Sequence, residues 1–222
     1  MKENAAPKPI LRSEYQPPNF LVEKVALHFS LNEDVTRVTC DMKLTRNRDA
    51  AADAPLHLDG SHLKLIGVDI DGAAVSADRY SVDDVSLTIA DVPDAFDLLI
   101  TTEIEPQNNT ALEGLYKSSG NYCTQCEAQG FRRITYFPDR PDVMTTYTVS
   151  IDAEKERYPV LLSNGNPVDR RDLADGRHSV TWEDPHPKPS YLFALVAGDL
   201  ACVRDSFTTA SGRDVTLEIY VE

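Results

Sequence analysis

Cysteine is scarce in this chain, with Cys40, Cys123, Cys126 and Cys202 the only four among 222 residues. So few thiols, so scattered, exclude a disulfide framework for a domain of this size, and reduced cysteines are expected. Basic residues are also in short supply: 22 Lys and Arg face 36 Asp and Glu, for a net charge of −14. Nucleic acids and anionic membranes are gripped by clustered Lys and Arg, so neither is an expected partner. Long apolar runs are missing as well. The best one, residues 191–203, is broken by Gly198-Asp199 and too short to span a bilayer. Residues 1–9 carry proline and charge where a secretory leader needs an apolar core of roughly 7 to 15 residues. A cytoplasmic protein is therefore expected. Absent too are a His-Glu-x-x-His pair of metal ligands, a Gly-rich phosphate loop, a Gly-x-Ser-x-Gly elbow and a basic-aromatic stripe. Zinc-helix chemistry, nucleotide cradling, serine hydrolysis and RNA binding thus have no foothold in these residues.

What is present is a succession of short strands. Residues 35–45 alternate cleanly, with Val38, Cys40, Met42 and Leu44 on one face and Thr39, Asp41, Lys43 and Thr45 on the other, which predicts one buried and one wet face. Residues 20–31 read as a preceding strand joined by the turn Asn32-Glu33-Asp34. Asp71-Gly72 is a strong hairpin signal after a strand over 63–70. Further strands are predicted over 56–58, 80–82, 85–89, 96–104, 145–151, 159–162, 178–182, 191–197, 201–208 and 215–221. Asn164-Gly165-Asn166-Pro167 and Asp184-Pro185-His186-Pro187 read as turns, and residues 139–144 as the best place for one helical turn. Turn signals every 8 to 12 residues or so fit an all-β sandwich or barrel. Residues 1–16 are expected to be an extended arm and 17–222 a single β-rich domain.

The densest chemistry lies in Thr124-Gln125-Cys126-Glu127-Ala128-Gln129-Gly130-Phe131-Arg132-Arg133, followed by Ile134-Thr135-Tyr136-Phe137-Pro138-Asp139. If residues 123–128 are extended, Cys123, Gln125 and Glu127 share a face, placing an amide beside a carboxylate. An anionic acceptor next to a neutral donor and acceptor suits holding a small cation such as an amine. The plainer reading pairs Glu127 with Arg132 or Arg133, or leaves it solvated. Cys123-x-x-Cys126 lacks the helix start of a redox pair and the further ligands of a zinc site, so packing thiols are expected. Among the histidines His28, His57, His62, His178 and His186, only His57 and His62 stand close enough in sequence to meet, across an Asp-Gly turn.

The same segment resembles the zinc-dependent gluzincin aminopeptidases, the bacterial aminopeptidase N family. Leu112-Glu113-Gly114-Leu115-Tyr116, Tyr147-Thr148-Val149-Ser150-Ile151, Leu161-Leu162-Ser163-Asn164-Gly165-Asn166 and Tyr191-Leu192-Phe193-Ala194-Leu195-Val196-Ala197-Gly198-Asp199-Leu200 resemble it in the same order, so the likeness runs from about Pro17 to Glu222. The resemblance implies an all-β, saddle- or sandwich-like, mostly antiparallel amino-terminal domain with at most short helical turns. It implies that Glu127 contacts the free α-amino group of a peptide substrate and that Gln125 lines the same pocket. Zinc and a metal-activated water attacking the first peptide carbonyl would then belong to the full-length parent, with Glu127 an anchor rather than an acid or base. The family's Gly-x-Met-Glu-Asn loop is absent here, as are the metal ligands, so the fragment alone is expected to bind no metal, hold no catalytic residue and be inactive. Its expected partners are a peptide amino terminus and the missing catalytic domain. The competing reading is a non-catalytic β-sandwich interaction module.

Overall fold

The alternation read over residues 35–45 is the backbone of the architecture. Val38, Cys40, Met42 and Leu44 are all fully buried, while Asp41 and Lys43 face solvent. They belong to a strand whose neighbours on both sides add their own buried rows, which is how a half-buried pleated surface is built. The computed structural model describes residues 11–222. In chain order its strands are β1 (Phe20–Ser30), β2 (Thr36–Arg46), β3 (Leu56–Asp59), β4 (Lys64–Ile70), β5 (Ala73–Ala74), β6 (Tyr80–Val82), β7 (Ser86–Ile89), β8 (Ala95–Ile104), β9 (Gly114–Ser118), β10 (Asn121–Gln125), β11 (Thr145–Glu154), β12 (Val160–Ser163), β13 (Asn166–Asp172), β14 (Arg177–Lys188), β15 (Leu195–Gly198), β16 (Ala201–Thr208) and β17 (Asp214–Val221).

An eight-stranded sheet has the order β13-β14-β11-β1-β2-β8-β4-β5, a four-stranded sheet β12-β15-β10-β9, and a three-stranded sheet β3-β7-β6. Pairing is antiparallel except where β1 meets β11 in parallel. The expected all-β, mostly antiparallel class stands, and among the described residues the helical content is limited to short 3-10 turns. One apolar core draws on all three of these sheets, from Phe29 and Met42 through Leu58 and Ile89 to Tyr122 and Leu195. The β16-β17 hairpin forms a sheet of its own and contributes no side chain to that core. Of the expected arm, residues 1–10 lie outside the described residues. Beyond them Arg12–Glu14 makes a 3-10 turn, the Tyr15 hydroxyl donates to Asp142 at 2.9 Å, and Arg140 donates to the Gln16 carbonyl at 2.7 Å.

Several local expectations are corrected. Residues 139–144 form a turn, with the Val143 N–H on the Arg140 carbonyl, and the helical turn falls earlier, at Phe131–Arg133. Tyr191 belongs to a second such turn, Ser190–Leu192, so the strand there begins only at Leu195. Asn166 and Pro167 open β13, a wholly exposed edge strand whose proline is tolerated because an edge leaves one row of N–H groups unpaired. The stretch from Asp184 to Pro187 continues β14. It is held there by Lys188, which donates to Asp184 at 2.8 Å and sits 3.8 Å from the centre of the Tyr147 ring. Pairing across a bulge between Thr145 and Tyr147 absorbs the irregularity.

The large sheet and the four-stranded one are tied by a charged cluster at the β1–β2 turn. Glu33 accepts from Lys117 Nζ at 2.9 Å and from the Tyr158 hydroxyl, and Arg157 lies 3.1 Å away; Lys117 also sits 4.6 Å from the Tyr122 ring centre. Burial works against the Glu33 carboxylate, but the Tyr158 hydroxyl, Lys117 and Arg157 outweigh it and hold its pKa below the usual value. In the unfolded chain Glu33 titrates at the ordinary glutamate value, so on acidification the unfolded state takes up its proton first. The stability it contributes is fully present above that value and is lost as pH falls through the depressed folded value. Urea midpoints measured from about pH 6 to about pH 3 are therefore expected to fall less steeply for Glu33→Gln than for the parent chain. Parallel acid limbs would remove Glu33 from the acid response.

Candidate functional site

The strand that carries Gln125 stops at that residue. β10 pairs with β9 up to Gln125 opposite Gly114, and the chain then turns: the Gly130 N–H closes on the Cys126 carbonyl at 2.8 Å. A Cβ at Gly130 would stand 2.3 Å from the Gln125 carbonyl and 2.9 Å from the Gly114 nitrogen, so this tight return admits glycine alone. The extended run expected through Ala128 is thus corrected, because backbone closure at Gly130 outweighs strand continuation. Gln125 and Glu127 still meet, by a different route. The Gln125 side-chain amide donates to the Glu127 carbonyl at 3.1 Å, and both residues are exposed. The Glu127–Ala128 peptide bond is cis.

The turn is seated by its ends. Cys126 before it is buried and Phe131 after it has no exposed surface. Burial raises the pKa of the Cys126 thiol, and that of the half-buried Cys123 moves the same way for the same reason. Both cysteines are free, which leaves the Cys123-x-x-Cys126 pair as packing thiols rather than a low-pKa redox centre.

The arginines offered as pairing partners for Glu127 in the plainer reading are engaged elsewhere, which leaves that reading's solvated alternative. Arg133 Nε donates to Glu113 at 3.1 Å. Arg132 lies between two other acids, with Nε 3.0 Å from Asp139 and Nη1 3.3 Å from Asp59. Among the described residues Glu127 has no ion-pair partner. The arrangement therefore presents one exposed carboxylate, beside an amide, on a turn whose base is fully packed. A carboxylate so placed is able to receive a cation.

The Arg132–Asp139–Asp59 network was not legible in the sequence, since its members are brought together by the Asp59–Phe137 bridge between distant segments. The histidines are dispersed. His28 contacts Asp152 at 2.7 Å, His57 contacts Thr88, His62 contacts Ser61 and Arg133, and buried His178 contacts the Tyr158 carbonyl, so the conceivable meeting of His57 and His62 gives way to separate partners. Among the described residues no three His, Cys, Asp or Glu are grouped to hold a metal ion, so they do not fit the zinc implied for a parent enzyme. Among them, too, no helix is long and apolar enough to cross a membrane. A cavity of about 650 Å³ opens beside Arg133, but its cations Lys64 and Arg133 are already paired, with Glu103 and Glu113.

The fold and turn find their match in a model of the peptidase M1 N-terminal domain, which covers residues 19–192. The chain belongs to this family. Aminopeptidase N of Caulobacter vibrioides is 50% identical to this M1 N-terminal domain over 97% of the chain and 25% of the relative. Aminopeptidase N of Escherichia coli K12 is 49% identical over 97% of the chain and 24% of the relative. The M1 N-terminal domain thus spans about a quarter of the length of these relatives. Legionella pneumophila aminopeptidase A, solved with aspartic acid, superposes on 94% of the chain and 25% of its own with a TM-score of 0.89 at 36% identity. An M1 zinc metallopeptidase from Deinococcus radiodurans shares the fold, with a TM-score of 0.75 at 15% identity over 90% of the chain and 47% of its own.

Proposed function

We propose that this M1 N-terminal domain serves a zinc-dependent aminopeptidase by holding the free α-amino group of a peptide in place while its first residue is removed. The observation that carries this reading is Glu127: an exposed carboxylate with no ion-pair partner among the described residues, hydrogen-bonded through its backbone to Gln125 and mounted on a packed turn. A terminal ammonium offers three donors, which a carboxylate and an amide oxygen can share. Gripping that ammonium fixes which peptide bond is presented for cleavage and disfavours chains that continue upstream. In this reading Gln125 and Glu127 bind and orient substrate and neither moves a proton. Zinc, its ligands and the chemical step are supplied by parts of the full-length protein other than these residues, and the whole works in the cytoplasm.

The β16-β17 hairpin supports a partner of that kind. Its register places Val203, Phe207, Leu217, Ile219 and Val221 on one face, all exposed, while Arg204, Glu218 and Tyr220 on the other are bonded to one another. Asp205, opposite Leu217, is the one charged side chain on that face, and an exposed face otherwise this apolar marks a surface made to be covered. In this reading the remainder of the full-length protein covers it.

The experiment is zinc content and hydrolysis of an alanyl anilide, measured on the 222-residue chain and on the full-length protein. Zinc and turnover are expected in the full-length protein only. Turnover by the short chain would place the catalytic machinery within it and overturn the reading, and inactivity of both would leave an interaction module.

A further inference from the structure

Arg132 is fixed through every polar group it owns. Its backbone N–H and its Nε both donate to Oδ2 of Asp139, at 3.2 and 3.0 Å; its Nη2 donates to the Asp139 carbonyl at 3.1 Å; its Nη1 lies 3.3 Å from Asp59; and its own carbonyl accepts the Ser61 N–H at 2.9 Å. Asp139 is correspondingly saturated. Its side chain is 1% exposed, Oδ1 accepts the Ser190 hydroxyl at 2.6 Å, and its N–H donates to Asp59 at 3.1 Å. Burying a carboxylate is costly unless it is both paired and hydrogen-bonded, and here both conditions hold.

The network has buried Asp139 at its centre, with Arg132 and Asp59 partly exposed, and it makes no hydrogen bond or ion pair to Glu127. It grips the exit of the turn that bears Glu127. From Cys126 the chain closes on Gly130, and the Arg133 N–H on the Gly130 carbonyl at 3.0 Å continues the turn into Phe131–Arg133, whose middle residue is Arg132. An exposed side chain on a short turn has little packing of its own to define its direction, so the direction is set by the backbone on either side. On the entry side that backbone is β10, and on the exit side it is Arg132, clamped by Asp139.

Building on the anchor reading of Glu127, we propose that Asp139 is a positioning residue for ammonium recognition: through Arg132, and backed by Asp59 and Ser190, it fixes the turn so that Glu127 is pre-set for a substrate amine. Pre-organisation of this kind is worth most where a small displacement breaks a charged hydrogen bond, and a displacement near 1 Å can cost on the order of 100-fold. The role is one of geometry, and Asp139 touches no substrate.

The test uses the full-length protein and a ratio. Binding is measured for an amino-acid-derived inhibitor and for its analogue lacking the α-amino group, and the ratio of the two constants reports recognition of the ammonium alone. A lowered fraction of folded protein shifts both constants together and leaves the ratio unchanged. Asp139→Asn is expected to lower the ratio roughly 10-fold or more, with the des-amino constant unmoved, and to add no further loss in the Glu127→Ala background. Should Asp139→Asn fail to fold, Ser190→Ala removes one bond of the same clamp and is expected to lower the ratio by a smaller factor, while Arg132→Lys gives up the guanidinium's separate bonds to Asp139 and Asp59 and is expected to lower it further. An unchanged ratio in these variants, with Glu127→Ala lowering it, overturns the positioning role and leaves the anchor intact. An unchanged ratio in Glu127→Ala overturns the anchor reading and the positioning role with it.

Discussion

Replacing Glu127 with alanine in the full-length protein is expected to lower kcat/KM for aminoacyl substrates roughly 10- to 200-fold, the equivalent of about 1.5 to 3 kcal/mol for a charge-assisted hydrogen bond. The size follows from the site. Because Glu127 is exposed and has no ion-pair partner among the described residues, no internal ion pair must be broken before it can take a substrate ammonium. The anchored amine also sets the register of the chain, so the loss falls on the productive complex and is not confined to ground-state binding. Glu127→Gln keeps the shape and an acceptor oxygen but gives up the charge, and a smaller loss is expected. Gln125→Ala removes the amide that steadies the Glu127 carbonyl and is expected to cost less than either. An unaltered kcat/KM in Glu127→Ala would remove this residue from substrate recognition.

How far this site could be read in advance depended on which interactions were local. The β2 faces and the Asp71-Gly72 hairpin follow from period and turn chemistry: Asp71 and Gly72 take φ of 51° and 76°, the positive values such a turn requires. β13 is invisible to the same reasoning, because Asn166–Asp172 has no buried row to set a period and exists by pairing with β14. The end of β14 misleads for a related reason, since two prolines signal a turn while a lysine lodged over Tyr147 keeps the strand in place. At the candidate site, residue type and resemblance single out Gln125 and Glu127 for the proposed role, but not their geometry. A strand period placed them on one face; a backbone closure at Gly130 brings them together instead. Arg132 was a local candidate to pair with Glu127, and the acids that claim it come from Asp59 and Asp139, joined only by long-range folding.

The other large effect is expected at Phe131, in the thermal or urea unfolding of the 222-residue chain. Its side chain is wholly buried, with ring centres 5.0 Å from Phe137, 5.3 Å from Phe193 and 6.4 Å from Tyr147, all edge-on. Phe131→Ala removes the ring and leaves a cavity bounded by three aromatic side chains, which typically costs about 3 to 5 kcal/mol. For a chain of this size that corresponds to a fall in Tm of roughly 6 to 20 °C. Phe131→Leu keeps most of the volume while losing the edge-to-face contacts, and is expected to cost well under half as much. A loss below about 1 kcal/mol for Phe131→Ala would mean that the aromatic cluster relaxes to fill the space, which close packing of this kind resists. Phe131 directly precedes the clamped Arg132 and closes the turn that carries Glu127. The same buried ring that stabilises the domain therefore holds the base of the proposed substrate anchor, and a protein that softened this cluster is expected to lose stability and ammonium selectivity together.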